Sequence, residues 1–79
     1  MLTLSVKTKY KPDAVIDKAK EYFEQNGLKL KEQTATNVYF QGEGGYVSID
    51  VKPEGKLTTV DLETREFEYQ IKEFTRKIK

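Results

Sequence analysis

Residues 36–51 read TNVYFQGEGGYVSIDV, and the interpretation of the GEGG inside that run decides the fold. Gly-x-Gly invites a phosphate-binding loop. Dinucleotide fingerprints and Walker loops, however, run strand, glycines, helix, so that a helix N-terminus faces the phosphate. Here the glycines lead into Tyr46, Val47, Ser48, Ile49, Asp50 and Val51, whose apolar residues recur at every second position. Upstream, Val38 and Phe40 alternate with Asn37, Tyr39 and Gln41. Two period-two runs joined by glycines form a β-hairpin whose turn uses positive φ. The frame is therefore an antiparallel sheet.

Working outward, three more runs share that period. Leu28 and Leu30 alternate with Lys29 and Lys31 in LKLKEQ, and Val60 and Leu62 with Thr59, Asp61 and Glu63 in TVDLET. In LTLSVK, Leu2, Leu4 and Val6 face one way and Thr3, Ser5 and Lys7 the other. Two segments change period. After Lys11-Pro12, the residues Val15, Ile16, Ala19, Tyr22 and Phe23 share one arc of a helical wheel, with Pro12 and Asp13 suited to its first turn and Gly27 to its close. From Arg65 to Lys79, Phe67, Ile71, Phe74 and Ile78 form an apolar stripe. Thr64 is the expected N-cap, and Arg76, Lys77 and Lys79 fall in the last turn.

The expected order over residues 1–79 is β-α-β-β-β-β-α, a single α+β domain. It forms a two-layer sandwich, mainly an antiparallel sheet with both helices on one face. The short connections make neighbouring runs hairpins, the first strand is expected beside the last, and LKLKEQ is expected at an edge. This element order resembles one repeat of the TATA-binding protein and is similar to the helix-grip proteins of the START type. The resemblance is one of topology over the whole chain and transfers no functional residue. The TATA-binding protein joins two repeats and uses apolar wedges on its open face. The open face expected here has Tyr39 and Tyr46 but no Phe, Leu or Ile.

Composition removes several chemistries. With no Cys and no His, Ser-His-Asp and Cys-His nucleophilic sites and structural zinc sites have no ligands or bases to use. No apolar run approaches the roughly 18 residues that span a bilayer, and MLTLSVKTKYKP lacks the features of a signal peptide. The expectation is a cytoplasmic protein without cofactor, membrane or enzymatic activity. Net charge is +1, from 14 basic and 13 acidic residues, which gives no general attraction to polyanions. Asp61 and Glu63 share a strand face with Asp50 across from them, a set that could receive a hard cation; an ordinary solvated face with Lys52 and Lys56 nearby is the favoured account, because structural charge clusters are common.

The open face remains as the candidate surface. Lys7, Lys29, Lys31, Tyr39, Gln41 and Tyr46 are its nominated binding residues. Rings interleaved with cations and amides are what single-stranded nucleic-acid-binding sheets use, whereas Tyr and Thr on open faces also follow from β-propensity. The principal expectation is a small binding or protein-interaction module, working through the open face or an edge strand. Its partner would be another protein or a second copy, and single-stranded nucleic acid is the alternative. A ligand pocket between helices and sheet would remove core that so short a chain needs.

Overall fold

In the computed structural model, which describes residues 2–78, the chain changes element where its periodicity changes. The elements are β1 (Leu2–Thr8), α1 (Pro12–Gln25), β2 (Lys29–Gln33), β3 (Asn37–Gly42), β4 (Gly45–Glu54), β5 (Leu57–Arg65) and α2 (Glu68–Ile78). The strands form one antiparallel sheet in the order β1-β5-β4-β3-β2. The expected α+β sandwich with a β-α-β-β-β-β-α order is therefore the observed one, with the first strand beside the last and β2 at an edge.

The core lies between sheet and helices. Val38, Phe40, Val47, Ile49, Val51, Val60 and Leu62 project from one sheet face. Val15, Ile16, Ala19 and Phe23 of α1 and Ile71, Phe74 and Ile78 of α2 meet them. Aromatic rings tie the layers: Phe23 lies 5.4 Å, centroid to centroid, from both Phe40 and Phe74. The buried Thr8 hydroxyl donates to the Ile78 carbonyl, joining the end of β1 to the end of α2. No helix among the described residues is long and apolar enough to cross a membrane.

Turn chemistry follows the glycines. Gly27, Gly44 and Gly55 have φ of 88°, 83° and 62°, the left-handed region that side chains disfavour. Gly45 is required for another reason. A Cβ there would lie 2.0 Å from the Arg65 carbonyl oxygen, so the β4–β5 approach admits no side chain. Pro53 lies inside β4, beyond the end of the β3 pairing at Asp50, where the missing N–H faces no ladder partner.

Two expectations are corrected. The second helix does not start at Arg65 under a Thr64 cap. Thr64 is a buried strand residue opposite both Leu2 and Val47; its hydroxyl donates to the Tyr46 carbonyl and accepts the Phe67 N–H at 3.3 Å, a cap-like bond that lies ahead of the helix and not at its first turn. Pairing on both sides holds β5 extended to Arg65. Glu66 then adopts a φ of 80°, and the Phe67 carbonyl accepts the first helical bond from Ile71. In β2, strict alternation fails. The register shifts between Leu30 and Glu32, which leaves Lys31 as the extra residue of a bulge.

Candidate functional site

The solvent-facing side of the sheet is assembled rung by rung from the pairing. At one end Lys29 lies opposite Gln41, Gln41 opposite Tyr46, and Tyr46 opposite Arg65. The next rung places Glu32, Tyr39, Ser48, Glu63 and Thr3 in line across all five strands. The third holds Asn37, Asp50, Asp61 and Ser5, and the fourth Lys52, Thr59 and Lys7. Cations thus stand at both ends and carboxylates in the middle.

Five of the nominated residues come together. Tyr39 and Tyr46 stack diagonally across β3 and β4, with ring centroids 5.6 Å apart and planes 16° from parallel. Lys29, Lys31 and Gln41 line one shallow depression beside the β3–β4 turn. Lys7 is elsewhere: it sits on β1, at the opposite edge and the opposite end of the rungs. At about 4.8 Å per strand, the β1 and β2 edges are about 19 Å apart. The structure therefore divides the nominated set into one patch and one distant lysine.

The polar groups on this face are used internally. The Tyr46 hydroxyl donates to Glu63 Oε2 at 2.6 Å. That bond, with smaller parts from burial and from the Glu63 charge, holds the Tyr46 phenol above its ordinary value of 10.0. Asn37 Nδ2 donates to Asp50 Oδ1 at 2.7 Å. Asp50 and Asp61 are direct cross-strand neighbours, an unfavourable like-charge pair. Among the described residues no three carboxylates converge as metal ligands would. On the helical side, an open groove of about 180 Å³ is lined by Lys18, Glu21, Tyr22, Gln25, Phe74 and Lys77, with the Lys77 ammonium 5.2 Å from the centre of the Tyr22 ring.

The two edges differ in kind, and this difference is absent from the nominated residues. β2 carries Lys29, Lys31 and Glu32 and a bulge, all features that discourage strand addition. β1 is seven residues long and pairs in unbroken register with β5. It contains no proline and has Lys7 as its sole charged residue. Its inward side chains Leu2, Leu4 and Val6 pack against the core yet remain half-buried, because among the described residues no element covers their outer flank. Beyond the end of β1, Leu57 and Tyr10 extend this apolar border at 37% and 40% exposure. The sequence signal was available: a first strand placed beside the last is necessarily an edge, and LTLSVK carries one charge.

No protein-family model and no curated protein sequence matches the chain.

Proposed function

We propose that the chain is a non-enzymatic interaction module that binds an extended segment of a second protein chain by adding it to the sheet at β1. The observation supporting this is the unprotected β1 edge, with its unbroken register, single charge and only partly buried Leu2, Leu4 and Val6. An added strand satisfies the outward peptide groups of β1 and covers those three side chains, so affinity and specificity come from one surface. β2 offers the same backbone chemistry but opposes it with a bulge and three charges.

A selection from displayed random peptides tests this reading. The wild-type chain should enrich peptides with period-two alternation, and Ser5→Pro should abolish their binding while leaving the fold intact. Failure to enrich at concentrations where the chain sediments as a monomer, or enriched peptides that Ser5→Pro still binds, would overturn the reading.

Single-stranded nucleic acid is the second reading. It is favoured by the stacked Tyr39 and Tyr46 with Lys29, Lys31 and Arg65 around them. Opposing it, Glu63, Asp61 and Asp50 place negative charge across the middle of the face, where a phosphate backbone would have to run. Strand addition to β1 meets no such obstacle.

A further inference from the structure

We infer that the segment added to β1 is β1 of a second copy, giving a two-fold symmetric dimer with one continuous ten-stranded sheet; this rests on the edge-binding reading above. Strand pairing decides which peptide groups of β1 point away from β5. The two-residue loop between Glu54 and Leu57 makes that closing pair a hydrogen-bonded one. Bonding direction alternates along a strand, so Leu57, Thr59, Asp61, Glu63 and Arg65 bond towards β4, and Thr58, Val60, Leu62 and Thr64 towards β1. Their partners Leu2, Leu4, Val6 and Thr8 bond inward, which leaves the peptide groups of Thr3, Ser5 and Lys7 directed outward.

Three outward residues at even spacing match their own two-fold copy. With the axis through Ser5, perpendicular to the sheet, Ser5 meets Ser5 and Thr3 meets Lys7 of the second copy on each side, closing about six backbone hydrogen bonds. Leu4 then lies against Val6 of the second copy at the closer, non-hydrogen-bonded spacing, on the same side as both cores. Lys7, the lone charge, faces a threonine and never its own copy. At β2 the same operation centred on Lys31 would set lysine against lysine across an interrupted register.

The helices agree with this arrangement. α2 lies over β5 and β1. With strands about 4.8 Å apart, a helix axis above the β1–β5 gap is about 7 Å from β4 and about 5 Å from the proposed two-fold axis. The two α2 helices therefore run antiparallel about 10 Å apart, within helix-packing range. α2 has Glu68 in its first turn and Arg76 in its last, so antiparallel placement sets the acidic end of each beside the basic end of the other, while Lys77 stays over Tyr22 of α1.

Sedimentation equilibrium on charge-reversal variants tests both the dimer and its register. The wild type, 9.2 kDa as a single chain, should show a concentration-dependent approach to twice that mass. Thr3→Lys sets like charges opposite Lys7 at two places and should weaken dimerisation about tenfold, more at low salt. The fold should tolerate it, because position 3 faces Glu63 on β5. Adding Lys7→Glu to Thr3→Lys should restore the dimer, while Lys7→Glu alone should leave it unchanged. A wild type that stays at 9.2 kDa up to millimolar concentration, or a dimer indifferent to Thr3→Lys, overturns the inference. If the chain is monomeric yet displayed peptides still bind and Ser5→Pro still blocks them, the dimer fails and the edge-binding module stands.

Discussion

Tyr46 joins the two halves of the open face: its ring stacks on Tyr39 and its hydroxyl donates to Glu63. Because that hydrogen bond raises the phenol above 10.0 in the folded chain, the proton is held more tightly there than in the unfolded chain. The resulting stabilisation is fully present below about pH 10 and is lost as pH rises through the raised folded value. Glu63→Gln removes the negative charge and leaves a weaker acceptor, so the Tyr46 titration should fall back towards 10.0. Ultraviolet difference titration of the variant against wild type reads this directly, and an unchanged curve would mean the bond does not form in solution.

The hairpin around GEGG and the end of β5 depend on each other. Gly44 has a φ of 83° and nothing close to its missing side chain, so Gly44→Ala should cost about 1 kcal/mol from backbone strain alone. Gly45→Ala meets the Arg65 carbonyl and should cost about 2–3 kcal/mol through displaced pairing. Urea denaturation of the two variants checks the order, and equal losses would contradict the close approach. These elements also show what could be read from residue order. Val38, Phe40, Val47, Ile49 and Val51 alternate because one sheet face is buried, and that pattern is local. The start of α2 was not legible, because Thr64 looks like an N-cap until its pairing with both Leu2 and Val47 is known. The Lys31 bulge was hidden for the same reason. A bulge is a property of two strands together, and LKLKEQ alone keeps perfect alternation as far as Lys31.

Among the described residues, one side of the sheet is closed by two helices, one edge is blunted by charge and a bulge, and the β1 edge pairs with no further strand. The β1 border is a seven-residue strand with partly buried Leu2, Leu4 and Val6 and none of the devices that blunt β2. The nominated patch of Lys29, Lys31, Tyr39, Gln41 and Tyr46 was readable as a shared face, since face follows from alternation. The β1 edge proposed for binding was not nominated as such: strand order put β1 beside β5, but LKLKEQ was the strand read as an edge. Amide hydrogen exchange measured across a range of protein concentrations tests the edge-binding account most directly. The account predicts that Thr3, Ser5 and Lys7, whose N–H groups point away from β5, become strongly protected at high concentration and lose that protection on dilution, as Thr3 and Lys7 also do in Ser5→Pro. Fast exchange of all three at every concentration, with Leu4 and Val6 protected throughout, would show that β1 takes no second copy; were they equally fast with a saturating enriched peptide, β1 would take no partner strand at all.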